Sequence, residues 1–331
     1  MFTLRFDMRA PAWGADPTAL YAAAPEMCAW AEDHGGLAAV TCEHHGSEDG
    51  YLPSPLLLTS AIAARTKRMA LSLILILPFY DPVRLAEDMA VLDIISGGRA
   101  SYILALGYRP EEYEHFGVEM AGRGRLADEK LGLLRQLLTG EEVAHEGRRI
   151  KVTPAPRTAG GPGLMWGGGS VAAARRAGRY GLGMLANANV EGMQEAYEAA
   201  CRKHGHSPGG TFFPDRKTPS VSFVADDVDA AWAELGEHLL HDARSYAAWN
   251  PGNEVSAGFT HAETVDELRE AAASHVIYSV PEAVSRVRSG KILNLSPLCG
   301  GLSPEVAWPY LKRVGEMVLP EAARSATAEP A

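Results

Sequence analysis

The stretch that decides the fold reads Leu71-Ser72-Leu73-Ile74-Leu75-Ile76-Leu77, then Pro78-Phe79-Tyr80-Asp81-Pro82, and continues to Gly107-Tyr108-Arg109. Leu71–Leu77 is a short apolar run of the kind that forms a strand buried on both faces. Asp81-Pro82 predicts a helix start, with Asp as N-cap and Pro at the first helical position, where its missing N–H is no loss. Leu85, Met89 and Leu92 follow at i, i+4 and i+7 and make one apolar stripe. Gly97-Gly98 ends the helix, and Arg99–Leu106 predicts the next strand, closed by Gly107. Strand, helix and strand in about forty residues form a βαβ unit, which requires a parallel sheet.

Outward from that unit the alternation repeats. Strands are expected to begin near residues 2, 37, 71, 99, 164, 182, 220 and 292, most of them followed by a helix. Glu141–Val152 reads as a hairpin around His145-Glu146-Gly147. Eight strand–helix repeats predict an α/β protein of the (β/α)8 barrel type, a TIM barrel, rather than an open doubly wound sheet. We expect one domain over residues 1–320 and a disordered tail over 321–331. Ser245–Thr260, with Trp249 and Asn250-Pro251-Gly252-Asn253, reads as an irregular loop insertion before the last strand and as a candidate lid.

The composition narrows the function. The 331 residues carry a net charge of -10, and the 31 Lys and Arg are scattered, so no basic face for nucleic acid is expected. No apolar run approaches the ~20 residues that cross a bilayer, so no membrane partner is expected. The chain opens directly on a strand pattern without a signal-peptide layout, and four distant cysteines suit reduced thiols, so the expectation is cytoplasmic.

Three places carry candidate chemistry. Glu43-His44-His45 comes directly after the second strand, where barrel active sites form. Adjacent side chains point apart, so two imidazoles on one metal are not expected, and we assign no metal site. Gly167-Gly168-Gly169-Ser170 before a helix reads either as a phosphate cradle, with free N–H groups at the helix start, or as a turn with an N-cap serine. Gly107-Tyr108-Arg109 follows the fourth strand and offers a guanidinium to a phosphate or carboxylate. Asn187 and Asn189 follow the sixth strand, where amides can meet the edge of a heterocycle. Phe79, Tyr80, Tyr108 and Trp249 are candidates for an apolar pocket, and the His238/His241 pair reads as surface.

As a set these stretches resemble the bacterial luciferase-like flavin monooxygenases. The residues that carry the resemblance are Glu43-His44-His45, Leu77-Pro78, Asp81–Asp88, Leu92-Asp93, Ser96-Gly97-Gly98-Arg99, Gly107-Tyr108, Phe116-Gly117-Val118 and Gly169-Ser170. The match is dense over residues 37–185 and collinear to residue 318. It implies a luciferase-like barrel binding FMN, with a deazaflavin as the alternative cofactor. It further implies reduced flavin, supplied by a separate flavin reductase, reacting with O2 to a C4a-hydroperoxide that oxygenates a small apolar organic substrate. On this resemblance His44 does acid/base work. Glu43, Leu73, Ile74, Gly107, Tyr108, Arg109, Gly168, Gly169 and Ser170 bind the cofactor, and Leu73-Ile74 corresponds to a cis peptide under the flavin. His45, Phe79, Tyr80, Asn187 and Trp249 are assigned to substrate, and a homodimer is the expected assembly. The chain departs from the family at Leu106, where luciferases carry arginine, and at Gly169, where they carry glutamate. The alternative activities are a deazaflavin-dependent oxidoreductase on the same barrel and a non-catalytic partner subunit.

Overall fold

The computed structural model describes residues 1–252 and 255–324. In chain order the elements are β1 (Phe2–Phe6), α1 (Pro17–Asp33), β2 (Gly36–Thr41), α2 (Pro55–Arg65), β3 (Ala70–Ile76), α3 (Pro82–Ser96), β4 (Ala100–Ala105), α4 (Pro110–His115) and α5 (Arg123–Leu137). There follow β5 (Val143–His145), β6 (Arg148–Ile150), β7 (Gly163–Gly167), α6 (Val171–Tyr180), β8 (Gly183–Leu185), α7 (Met193–Lys203), β9 (Thr211–Phe212), β10 (Val221–Ala225) and α8 (Val228–Trp249). The last are α9 (Val265–Ala271), β11 (His275–Ser279), α10 (Val280–Arg288), β12 (Leu293–Leu295), α11 (Pro304–Arg313) and α12 (Leu319–Arg324).

The opening stretch behaves as its residues dictate. Asp81 caps α3, its carboxylate accepting from Val83 N–H at 2.9 Å and Arg84 N–H at 3.0 Å. Gly97 ends that helix at φ 69°, the left-handed conformation that glycine adopts without a Cβ penalty. Arg99 then donates to the carbonyls of Ser96, Met69, Ala63 and Thr66, satisfying acceptors left over at the ends of α2 and α3.

The chain separates into two compact units, residues 1–41, 47–52 and 215–331, and residues 42–46 and 53–214. In the first, β11, β10, β12, β1 and β2 lie side by side and all pair in parallel. Its core holds Phe2, Leu4, Leu20, Met27, Val221 and Leu293, all fully buried. It also buries charge. Arg9 donates to Asp242 at 3.1 Å and Asp49 at 2.6 Å, and its guanidinium lies over the rings of Tyr51, Tyr246 and Trp249. His275 joins this cluster through Asp242 at 3.0 Å, with Ser274 Oγ at 2.9 Å on its other nitrogen.

In the second unit β3, β4, β7, β8 and β9 are neighbours in that order, again parallel, and β5–β6 is the expected antiparallel hairpin. The carboxyl ends of its parallel strands share one edge, so Leu77–Tyr80, Gly107–Arg109, Gly168–Ser170 and Asn187 emerge along the same rim. In parallel α/β sheets that rim is where ligands bind.

Four sequence expectations change. Ser245–Trp249 is not irregular but the end of α8, which Ala243, Ala247 and their neighbours carry on to Trp249; the irregular backbone begins at Asn250. The region before the last strand contains α9 and β11, a strand the eight-fold reading did not contain. Residues 321–324, expected in the disordered tail, are the end of α12, whereas Asn253, in the stretch read as a lid, and tail residues 325–331 lie outside the described residues. The Leu73–Ile74 peptide is not cis; the cis bond among the described residues is Thr153–Pro154. The reason is local: Leu73 and Ile74 sit in register with Tyr102 and Ile103 in an uninterrupted β3–β4 ladder, which extended trans backbone builds.

Candidate active site

Residues Cys42–Gly46 bring two histidines to the second unit, and the structure gives each its own carboxylate. His44 Nδ1 lies 2.7 Å from Glu112 Oε1, and Tyr108 Oη lies 3.1 Å from His44 Nε2. His45 Nε2 lies 2.7 Å from Glu43 Oε1. Neighbouring side chains point apart, as expected, and here they terminate in separate networks.

The His44 network is built from α4. Pro110 occupies the first turn of that helix, so Arg109 and Glu112 stand one turn apart on the same face. Glu112 Oε1 accepts the backbone N–H of His45 at 2.9 Å, and Arg109 Nη1 donates to His45 O at 2.9 Å. Arg109 is therefore a buried clamp on the histidine loop rather than an arm extended from the rim. Burial pushes the Glu112 carboxyl up, but the hydrogen bond and charge of His44, the His45 N–H and Arg109 together bring it below its ordinary value. An ionised Glu112 accepts the Nδ1 proton of His44, which leaves Nε2 to face the tyrosine hydroxyl. Gly107 fits its position because φ is 74° and a Cβ would come 2.8 Å from Ile76 Cγ2.

The His45 network faces elsewhere. Glu43 is buried and accepts Ile76 N–H at 2.7 Å and Tyr80 O–H at 3.0 Å besides His45. Burial raises the Glu43 carboxyl above its ordinary value, and these hydrogen bonds only partly offset it. Glu43, His45, Phe79, Tyr80, Phe116 and Leu57 line a cavity of about 840 Å³ that extends along α2 and α3. Phe79 stacks on Phe116 with centroids 4.6 Å apart, closing the wall.

The glycine turn ends β7 and starts α6. Gly168 has φ 144°, and a Cβ on Gly169 would collide with Asn187 Oδ1, which brings the fifth- and sixth-strand loops together. Ser170 is exposed and caps α6, its Oγ accepting Ala173 N–H at 3.2 Å. The first N–H groups of a helix have no intrahelical acceptor and present partial positive charge. This donor set fits a phosphate: bare backbone at two glycines, a hydroxyl, and the start of a ten-residue helix.

Of the residues singled out from sequence, His44, Tyr108 and Arg109 meet in one network, and Glu43, His45, Phe79 and Tyr80 in the other. Gly168, Gly169, Ser170 and Asn187 meet at the α6 turn. Leu73 and Ile74 lie within β3, and Trp249 belongs to the first unit, where its ring lies 4.3 Å from the Arg9 guanidinium carbon. His241, read as surface, is half-buried and lies 2.9 Å from Asp49 Oδ2. The sequence reading missed Glu112. Its signal was present in Arg109-Pro110-Glu111-Glu112, a helix start that sets a carboxylate one turn beyond the rim residue.

Comparison with known proteins identifies the family. Residues 5–287 match the family described as luciferase-like monooxygenase, and the chain belongs to that family. It is 27% identical over 293 residues to the oxygenase component of the flavin-dependent trigonelline monooxygenase of Acinetobacter baylyi, covering 81% of this chain and 75% of that protein. The monooxygenase RslO1 of Streptomyces bottropensis superposes with TM-score 0.73 at 22% identity, covering 97% of this chain and 99% of that one. The oxygenating constituent of 3,6-diketocamphane monooxygenase from Pseudomonas putida, solved with FMN, superposes with TM-score 0.70 at 18% identity, covering 97% and 98%. These likenesses establish the luciferase-like (β/α)8 fold. The alignments span 37%, 34% and 61% of the lengths of the first curated relatives matched. No helix among the described residues is long and apolar enough to cross a membrane.

Proposed function

We propose that this protein is the oxygenase of a two-component, FMN-dependent monooxygenase that acts on a small apolar organic substrate. The observation that carries the reading is the Glu112–His44–Tyr108 chain on the same strand-end rim as the α6 turn. Gly168, Gly169, Ser170 and the first N–H groups of α6 hold the FMN phosphate. Bound reduced flavin supplies the electrons that activate O2. His44, oriented by Glu112, stores and returns the proton that the reaction moves.

The reduced cofactor comes from a separate flavin reductase, a reading supported by the relative named as an oxygenase component. The test is stopped-flow mixing of the protein with photoreduced FMN and then oxygenated buffer. A transient that delays the return of the oxidised-flavin spectrum supports the proposal. Immediate oxidation at the rate of free FMN, or turnover only with a reduced deazaflavin, overturns it.

The assembly is a homodimer built across the α2–α3 face, where Leu57 is 74% and Val91 43% exposed beside the large cavity. Leu57→Glu then converts the dimer to monomer in sedimentation velocity. A wild-type chain that sediments as a monomer at micromolar concentration defeats this assembly.

A further inference from the structure

We propose that the Tyr108 hydroxyl, rather than the His44 imidazole, is the catalytic residue that exchanges the proton with the reacting oxygen, with His44 and Glu112 acting behind it. This inference rests on the oxygenase reading above.

Both ring nitrogens of His44 are engaged, Nδ1 by Glu112 at 2.7 Å and Nε2 by Tyr108 at 3.1 Å. Exposure rises along the chain: the Glu112 side chain is fully buried, that of His44 is 8% exposed, and Tyr108 is half-buried. Tyr108 is therefore the most exposed member of the series, at the strand-end rim. The two rings meet edge to face with centroids 5.2 Å apart, which holds the phenol in place against the imidazole. Gly107 and the β4 terminus fix the loop on one side, and Pro110 starts a helix on the other, so the hydroxyl is presented by rigid elements.

The transfer balances without any further reagent. With His44 doubly protonated, Nε2–H donates to Tyr108 Oη, and the Tyr108 O–H is the proton offered to the reacting oxygen. An oxyanion forming in the pocket takes the Tyr108 proton as the His44 Nε2 proton passes to Tyr108 oxygen. Two bonds to hydrogen break and two form. Tyrosine ends neutral, and His44 ends as neutral imidazole with its Nδ1 proton still on the Glu112 side. Run backwards, the same chain removes a proton from a bound hydroxyl. Positioned acid–base groups of this kind contribute about 10²–10⁴-fold to rate.

The test compares the full-length wild type, Tyr108→Phe and His44→Ala. In the flavin-free protein, ¹⁵N-histidine NMR of Tyr108→Phe should move the His44 Nε2 resonance and leave its Nδ1–H in place. An unchanged Nε2 resonance overturns the contact. With photoreduced FMN as the probe, reoxidation by O2 in H2O/D2O mixtures should give a bowed proton inventory in wild type. In Tyr108→Phe the inventory should become linear and the proton-dependent phase at least about tenfold slower. Wild-type rates and a bowed inventory in Tyr108→Phe, with both altered in His44→Ala, overturn the inference while sparing the oxygenase reading. A wild type that shows no response to reduced FMN overturns both.

Discussion

Two histidines in this molecule have the same immediate neighbours and opposite surroundings. His275, in the first unit, lies between the Asp242 carboxylate and the Ser274 hydroxyl; His44, in the second, lies between the Glu112 carboxylate and the Tyr108 hydroxyl. Around His275 every member is sealed: Ser274, His275 and Asp242 are each 1% exposed, and Asp242 also takes Arg9. Around His44 the series reaches a half-buried phenol at the strand-end rim. A carboxylate–imidazole–hydroxyl series is thus no signature of catalysis by itself. What separates the two is burial of the last hydroxyl, sealed at Ser274 and half-buried at Tyr108.

The sharpest way to break the comparison is at the sealed end. Asp242→Ala leaves Arg9 and His275 without their shared partner in a closed interior. It should cost about 3–5 kcal/mol of stability in urea unfolding. A loss below about 1 kcal/mol would mean that water enters the cluster and that the contrast with His44 is false.

His44→Ala should do the reverse. Its unfolding midpoint should stay near wild type, FMN should still bind, and product formation should fall about a hundredfold or more, with peroxide released instead. Equal damage to folding and chemistry would make His44 another structural histidine.

Charge provides a third comparison. Burial, helped by the neighbouring Asp242 charge, raises the Asp7 carboxyl from 3.8 to about 6, against the pull of Arg5 and Arg9. The folded state therefore holds this proton more tightly than the unfolded chain. The stabilisation is complete below the unfolded value and is lost as pH rises through about 6. Asp7→Asn keeps the acceptor for the Arg9 N–H and removes the titration. Relative to wild type it should gain up to about 2 kcal/mol between pH 4 and pH 7, read from denaturation midpoints. A difference that does not change with pH would show Asp7 to be solvated. Asp49 and Asp242 contribute the opposite slope in stronger acid. Both carboxyls are held well below the ordinary range, against burial, by hydrogen bonds from His241 and His275 respectively and by the Arg9 charge.

The smallest effect belongs to the α6 turn. Gly169→Ala places a methyl group against Asn187 and should weaken FMN binding about fivefold in equilibrium dialysis, roughly 1 kcal/mol. Unchanged affinity would remove this turn from the phosphate site.

Much of this was legible from residues alone. Asp81-Pro82, Gly97-Gly98 and Gly167–Ser170 are local signals: capping, left-handed backbone and missing Cβ atoms act within a turn of the residue that carries them. That is why the βαβ unit and the glycine turn appear where they were expected. Less legible were the end of α8 over Ser245–Trp249, read as irregular, and the strand β11, which takes its conformation from its parallel neighbour β10.

The amino-acid order by itself determined the parallel α/β repeat, the rim on which the loops emerge, and the placement of two histidines there. Only the tertiary structure decided which histidine meets which acid. Glu112 is 68 residues from His44 in the chain and Glu43 is two from His45, yet the hydrogen bonds are equally short at 2.7 Å. Sequence spacing cannot rank such partners, because a buried ion's choice depends on which elements exclude water around it. Here α4 delivers one carboxylate to His44, and the strand-end backbone at Ile76 holds the other for His45.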